Sequence, residues 1–251
     1  MSIDVASSAA ELHAARLEGR TVPTLTSRHP DMTREDAYAI QRAGIELRLE
    51  AGERRIGGKL GFTSRAMQRA MGVDRPNYGI LTDAMVILDG RVRLGDLIHP
   101  KVEPEIAFGL DTDLSPAATA FDVLAATAWV APCLEVVDSR YEGFRFEPFD
   151  NIADNSSAAC LALGEPRSPD ELDLRLVGLA LYDDGVLRAT AAGAAALDHP
   201  AAAVAWMARH HPLRAGDVVI SGGLTAPVDL RPHQVVTAEF DRLGRISIST
   251  E

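Results

Sequence analysis

The segment KVEPEIAF, residues 101–108, decides the fold, because apolar and acidic residues alternate along it. Alternate residues of a β-strand share one face of the sheet. The even-numbered positions are apolar and are predicted to face the core, whereas Glu103 and Glu105 are predicted to point together to the other side. Pro104 favours an edge strand, since proline has no N–H to give to a neighbouring strand.

The rest of the chain places helices first and strands later, as read from apolar periodicity and turn residues. The predicted helices are 6–20, 33–54, 64–71, 119–131 and 199–210. The predicted strands are 84–88, 102–110, 133–139, 174–182 with 186–190 as a hairpin, 217–222 and 235–249. Mixed, mainly antiparallel strands after an initial run of helices indicate an α+β fold. We expect an N-terminal helical region, 1–79, and a catalytic β domain, 80–251.

Composition excludes several classes of function. The 251 residues carry a net charge of −11, which disfavours binding to nucleic acid or to an anionic membrane. The N-terminus lacks the pattern of a signal peptide, and the sequence contains no apolar run of about 18 residues. With only two cysteines, Cys133 and Cys160, a cytoplasmic location is expected.

The acidic residues of the strand suggest a metal site. A pair such as Glu103 and Glu105 often belongs to a strand face that simply meets water. Glu135 changes the balance, because it lies in the apolar stretch APCLEVV and a buried glutamate needs a partner. That partner is predicted to be a metal ion or an arginine such as Arg140, although Arg140 is expected to pair with Asp138. Three carboxylates suit a hard divalent ion such as Mg²⁺.

Lysine is rare in this sequence. Lys59 and Lys101 are the only lysines among 25 basic residues, so each is a candidate for a position that needs a compact ammonium rather than a guanidinium. Lys59 lies in a glycine-rich segment that is predicted to be a loop. The polar stretch 150–157 is either a helix cap with a turn or the lining of a pocket.

Six motifs in this order resemble the hydratase and decarboxylase branch of the fumarylacetoacetate hydrolase superfamily. They are GGKLGFTS (57–64), MGVDRPNYGILTD (71–83), PKVEPEIAF (100–108), LEVVDSR (134–140), ADNSS (153–157) and GDVVISGGLT (216–225). The resemblance implies a mixed β-roll with an N-terminal helical region, and Mg²⁺ or Mn²⁺ held by Glu103, Glu105 and Glu135. It implies an active-site role for Lys59. The expected substrate-orienting residues are Asn77, Ser157 and Thr225.

The branch contains two activities, and the motifs favour one of them. The first expectation is decarboxylation of 2-oxo-3-hexenedioate, a small 2-oxo dicarboxylate, in the meta-cleavage of aromatic compounds. Asn77 stands where hydratases of the branch carry aspartate, and this difference favours the decarboxylase. The alternative is 2-hydroxypenta-2,4-dienoate hydratase. An acylpyruvate-type hydrolase is less favoured and would need a base, for which His29 is the candidate. The resemblance also implies a homo-oligomer and leaves open a complex with a cognate hydratase.

Overall fold

The computed structural model describes residues 3–251, which form seven α-helices and two β-sheets. The helices are α1 Val5–Glu18, α2 Leu25–Arg28, α3 Arg34–Glu50, α4 Arg65–Met71, α5 Ala120–Ala125, α6 Pro148–Ala153 and α7 Pro200–Ala208. The strands are β1 Arg55–Gly61, β2 Asn77–Thr82, β3 Arg91–Val92, β4 Lys101–Leu110, β5 Thr127–Val137, β6 Ala158–Leu163, β7 Gly178–Asp183, β8 Val186–Ala192, β9 Val218–Ile220, β10 Val228–Asp229, β11 Val235–Phe240 and β12 Gly244–Thr250.

Both sheets are mixed and mainly antiparallel. The larger sheet has the order β2-β1-β9-β4-β5-β6, with β10 also paired to β4, and the smaller has the order β3-β12-β11-β7-β8. Only the pairs β1–β9 and β12–β3 are parallel among the strands described. The predicted α+β class is confirmed, and so is the predicted hairpin that joins β7 to β8.

The core lies between the sheets and uses the face of β4 that the alternation assigns to it. Val102, Ile106 and Phe108 are fully buried and belong to one cluster with Leu181 of β7 and Ala238 of β11. Glu103 and Glu105 therefore point to the opposite face of the larger sheet, where the functional site is built.

Pro104 does not mark an edge strand. Strand β4 pairs with β5 along its whole length and with β9 and β10 on its other side. The proline lies where that second side is interrupted, between the end of β9 and the start of β10. There Leu224 of the connecting segment donates its N–H to the Pro104 carbonyl, at 3.0 Å. The missing N–H thus falls in a gap of the neighbouring strand.

Lys59 lies in a strand, which corrects the prediction of a loop. Its strand β1 runs between β2 and β9 in the larger sheet. The neighbouring glycines allow close packing rather than a turn, because a Cβ at Gly57 would clash with the Val218 backbone and one at Gly58 with the Met207 side chain. Strand β2 continues across residue 79. The division into two regions at 79/80 stays a prediction.

Two predicted elements differ from the structure. Residues 84–88 are not a strand, because Val86 makes only an isolated bridge to Leu161 and Leu88 then turns outward to 93% exposure. The helix predicted over 119–131 ends at Ala125, and β5 begins at Thr127. Pairing of β5 with β4 along its length outweighs the local helical preference of this segment.

The N-terminal helices pack on one another and reach the sheet through α6. Contacts between α1 and α3 and between α3 and α6 join them. Thr33 and Asp36 form a capping box at the start of α3. Of the helices within residues 3–251, none is both long and apolar enough to cross a membrane.

Gln41 of α3 is the buried polar link between the helices and the sheet. Its Nε2 donates to the carbonyl of Tyr78 in β2, at 2.8 Å, and to that of Ile152 in α6, at 3.0 Å. We predict that Gln41→Ala lowers the free energy of unfolding by about 1–3 kcal/mol, because buried carbonyls lose their donor. Urea denaturation measures the change, with Arg42→Ala on the exposed side of the same helix as the control. Equal stability of the two variants would contradict this role.

Candidate metal and active site

Three glutamates meet on the face of the larger sheet that lies opposite the core. Glu103 of β4 is paired in register with Glu135 of β5, and Glu105 follows on the same face of β4. One oxygen from each carboxylate lies within 4.8 Å of one from each of the others. The sequence separates Glu135 from the other two by about 30 residues, and the β4–β5 register is what brings it to them.

Burial makes it energetically unfavourable for these three carboxylates to be ionised. Glu105 and Glu135 are 0% and 1% exposed, and Glu103 is partly buried. Burial raises the pKa of Glu103 to about 7, with Glu135 adding to the rise and Lys59 opposing it. Burial and then the neighbouring carboxylate Glu135 raise the pKa of Glu105 well above its ordinary value. The pKa of Glu135 is also raised, chiefly by burial. A nearby cation is what such a group needs to stay ionised.

Lys59 supplies one positive charge to the cluster. Its Nζ lies 3.0 Å from Glu135 Oε2 and donates to the backbone carbonyl of Ser156 at 3.1 Å. Burial lowers the pKa of Lys59, but the charges of Glu135, Glu105 and Glu103 raise it, and the net shift is upward. The neighbouring carboxylates thus favour the ammonium form of Lys59. Lys59 is the partner of Glu135, where Arg140 was predicted as the arginine alternative.

The cluster fits a divalent metal ion. One ammonium cannot neutralise three carboxylates, and a buried uncompensated charge is strongly unfavourable. Within residues 3–251, neither Glu105 Oε1 nor Glu135 Oε1 accepts a hydrogen bond, although both are buried. Free carboxylate oxygens converging on one point are the ligands that Mg²⁺ and Mn²⁺ prefer. Glu103, Glu105 and Glu135 are the residues that would hold such an ion.

Two glycines follow β9 in the motif GDVVISGGLT, and both lie close to the carboxylates. Gly222, with φ +91°, donates its N–H to Glu105 Oε2 at 2.7 Å. A Cβ at Gly223 would lie 2.8 Å from Glu103 Oε1. The segment can pass this close to the carboxylates only without side chains.

A cavity of about 220 Å³ opens above the carboxylates. Its polar wall includes Lys59, Glu103, Ser157 and Thr225, so the structure brings these predicted residues together. Its apolar wall is formed by Leu60, Phe62, Met67, Met71, Val137, Phe144, Phe146 and Pro227. Lys101, Asn151 and Ser156 also line it and were not among the predicted substrate-orienting residues. The polar stretch 150–157 was the signal for Asn151 and Ser156.

Asn77 lies behind the cavity wall rather than in it. Its Oδ1 accepts from the Ser156 hydroxyl at 2.9 Å, and its Nδ2 donates to Asn151 Oδ1 at 2.7 Å. Asn151 Nδ2 in turn donates to Ser157 Oγ at 2.9 Å. Asn77 thus holds the two serine hydroxyls through one network, and any effect on a substrate passes through them.

The turn that presents the serines has an unusual backbone. Asn155, Ser156 and Ser157 have φ values of +51°, +54° and +56°, a region that side-chain-bearing residues seldom adopt. The Asn155 side chain holds the turn against β2, accepting from the N–H of Ile80 at 2.8 Å and donating to its carbonyl at 2.9 Å. These bonds offset the strain and hold the turn so that both serines line the cavity.

Arg140 and Asp138 do not form the predicted ion pair. Arg140 pairs with Asp154 at the end of α6, and both side chains are buried. Asp138 instead accepts the N–H groups of Ile98 and His99, each at 2.9 Å. Asp138 thereby holds the segment that leads into β4, and Arg140 holds the end of α6, which leads into the turn 155–157. His29, the base considered for a hydrolase, ends α2 and is not part of the cavity lining.

Comparison with known proteins decides the family. The model of the C-terminal domain of fumarylacetoacetate hydrolase matches residues 62–249. The chain belongs to the fumarylacetoacetate hydrolase family. The family resemblance seen in the sequence motifs and the predicted fold are thereby confirmed.

Relatives within the family include both enzymes of the branch. The chain is 40% identical over 247 residues to 2-hydroxyhexa-2,4-dienoate hydratase of Comamonas testosteroni, with 94% of each chain covered. It is 39% identical over 248 residues to 4-oxalocrotonate decarboxylase of a Pseudomonas species, covering 95% of this chain and 94% of the relative. The solved 4-oxalocrotonate decarboxylase of Pseudomonas putida, complexed with magnesium and adipate, superimposes with a TM-score of 0.96 at 34% identity, covering 100% and 99% of the two chains.

We predict that Glu105→Gln weakens Mn²⁺ or Mg²⁺ binding by at least about a hundredfold, because it removes an anionic ligand. The amide oxygen can still accept from Gly222, and the loss of repulsion should leave the melting temperature of the metal-free protein unchanged or raised. Electron paramagnetic resonance of bound Mn²⁺ and differential scanning fluorimetry measure the two effects. Glu165→Gln, at a side chain that is 91% exposed, is the matched control. Wild-type metal affinity in Glu105→Gln would remove this residue from the ligand set.

Proposed function

We propose that this protein is a metal-dependent lyase that converts 2-oxo-3-hexenedioate (4-oxalocrotonate) to 2-hydroxypenta-2,4-dienoate and CO₂. The observation that carries the proposal is the combination of a metal-type carboxylate cluster with a cavity poor in groups that could act as a base. Of the described residues that line the cavity, Glu103 is the one carboxylate, and there is no histidine.

Decarboxylation requires little proton transfer. The bond between C5 and C6 breaks, CO₂ leaves from C6, and the electron pair moves through C4 and C3 to the oxygen on C2. That oxygen then takes a proton and becomes the hydroxyl of the product, and no new C–H bond is formed. A divalent ion held by the three glutamates supplies the positive charge that stabilises this oxygen.

Lys59 and residues that line the cavity, including Ser157, supply charge, a proton and substrate orientation. The Lys59 ammonium is fixed by Glu135 and by the Ser156 carbonyl, so it offers a positive charge and a proton at the edge of the cavity. Ser157 and Thr225 orient the substrate with their hydroxyls. Asn77 is a positioning residue, since its amide fixes Ser156 directly and Ser157 through Asn151.

The second candidate is a 2-hydroxypenta-2,4-dienoate hydratase. It is favoured by 47% identity over 202 residues to a 2-hydroxypent-2,4-dienoate hydratase of Pseudomonas putida, covering 79% of this chain and 91% of the relative. Addition of water, however, requires a group that positions the water and delivers a proton to carbon. An amide at position 77, buried behind Ser156, cannot do this, so decarboxylation is preferred.

The proposal extends to the metal ion, the cellular location and the oligomeric state. The preferred ion is Mg²⁺, with Mn²⁺ as the alternative, since the solved decarboxylase similar to this chain was complexed with magnesium. The chain contains two free cysteines, which suits the cytoplasm. A homo-oligomer is supported by large apolar side chains that point to solvent, including Leu88 and Phe121. A complex with a cognate hydratase remains a prediction.

An assay that follows absorbance and CO₂ together tests the function. With Mg²⁺ and 2-oxo-3-hexenedioate we expect CO₂ in an amount equimolar with substrate consumed, with 2-hydroxypenta-2,4-dienoate as the product. The same preparation should leave added 2-hydroxypenta-2,4-dienoate unchanged. Consumption of the dienoate without CO₂ would establish the hydratase instead. Release of pyruvate from an acylpyruvate would indicate a hydrolase.

Replacement of Lys59 separates metal binding from turnover. We predict that Lys59→Met lowers kcat by about 10²–10³-fold, because a fixed donor at the developing oxyanion is lost. Binding of Mn²⁺ should persist, since the three carboxylates remain. Electron paramagnetic resonance and the CO₂ assay measure the two properties on the same sample. Turnover close to that of the wild type would exclude Lys59 from the mechanism.

A further inference from the structure

Both lysines of this chain line the same cavity. Lys59 and Lys101 are the only lysines in the sequence, and each contributes to the wall above the carboxylates. Among the described residues of that wall, they are also the only ones with a positive charge. Arginine occupies the other basic positions of the chain, so the cavity alone has retained the compact ammonium.

The two lysines differ in what holds them. Lys59 is buried and committed to Glu135. Lys101 Nζ lies 2.5 Å from Asp229 Oδ1, in a pair whose side chains are 25% and 82% exposed. An ion pair open to solvent contributes little stability, so Asp229 can give way to another anion. Lys101 Nζ also lies 5.1 Å from the centre of the Phe144 ring, which keeps the ammonium over the cavity.

The position of Lys101 along β4 sets a distance from the metal-type cluster. Lys101, Glu103 and Glu105 are alternate residues of one strand and lie on one face. Alternate residues are about 7 Å apart along a strand. A six-carbon chain extends about 6 Å from its first to its last carbon, by standard single-bond lengths. A substrate whose C1 and C2 end lies at Glu103 therefore brings its C6 end close to Lys101.

We infer that Lys101 binds the far carboxylate of the substrate and makes the site select a six-carbon 2-oxo dicarboxylate over a monocarboxylate. This inference rests on the proposed function, since it uses the same cavity and the same orientation of substrate. Lys101 is a specificity residue. It holds the C6 carboxylate before the reaction and loses that contact as CO₂ forms. An interaction of this kind strengthens ground-state binding and does not lower the barrier.

The test compares two unreactive ligands by calorimetry with the Mg²⁺-loaded protein. 2-Oxoadipate has both carboxylates, and 2-oxohexanoate has the same chain length without the second one. The wild type should bind 2-oxoadipate more tightly. Lys101→Met should weaken 2-oxoadipate binding by about 10–100-fold, the range for a hydrogen bond to a charged group. Its affinity for 2-oxohexanoate should stay unchanged.

Three controls make the outcome specific. Lys101→Arg should keep the preference for the diacid, because it keeps the charge. Arg54→Met, at a side chain that is 84% exposed in its pair with Asp83, removes a positive charge outside the cavity and should change neither affinity. With 2-oxo-3-hexenedioate, Lys101→Met should raise KM and leave kcat unchanged or higher.

The ligand experiment and the CO₂ assay can fail separately. An undiminished diacid preference in Lys101→Met overturns the role of Lys101, whether or not CO₂ is released. A fall in kcat without a change in KM also overturns it. If the wild type prefers the diacid, Lys101→Met loses that preference and no CO₂ appears, then the assignment of Lys101 holds and the proposed decarboxylation is wrong.

Discussion

Electrostatic repulsion among three buried carboxylates is the constraint on which this structure depends. Glu105 and Glu135 are removed from water, Glu103 is partly so, and burial raises the pKa of each. Such a cluster persists only if the surrounding fold is stable enough to hold it and if cations offset its charge. The fold meets the first condition with the packed core on the opposite face of β4. Lys59 meets part of the second, and the carboxylate oxygens and negative charge that remain suit a hard divalent ion.

The interruption beside β4 connects core and site in a single strand. On one edge β4 pairs with β5 throughout, and on the other the partner strand is replaced near Pro104 by a glycine-containing segment. That segment returns one N–H to the Pro104 carbonyl and another to the Glu105 carboxylate. Backbone groups that would have been used in a continuous ladder thus become available to the site. The proline is tolerated for the same reason, because no strand lies opposite it on that edge and so no carbonyl of a neighbouring strand loses a hydrogen bond.

Local pattern was enough to predict part of this arrangement. Alternation assigned the two faces of β4, and an isolated glutamate in an apolar stretch identified Glu135, because both signals lie within a few residues. The capping residues Thr33 and Thr119 were likewise visible, since a cap involves neighbours three positions apart. Lys59 as the partner of Glu135 was not, because it depends on the order of β1, β9, β4 and β5 across the sheet. The early end of the helix after Thr119 was missed for the same reason, since long-range pairing of β5 overrides a local preference.

Hydratases and decarboxylases occur among the relatives at nearly the same identity to this chain, so overall identity is a poor guide to which reaction a chain performs. The two reactions differ in the proton transfers that they require. Hydration must deliver a proton to carbon and activate water, whereas loss of CO₂ needs an electron acceptor and a proton on oxygen. The decisive residues therefore lie in the cavity wall and directly behind it, and they are a small fraction of the chain. Here the wall has two ammonium groups, hydroxyls supported by amides, and an apolar side. A set of this kind can orient a diacid and accept charge, but it has little capacity to move protons to carbon.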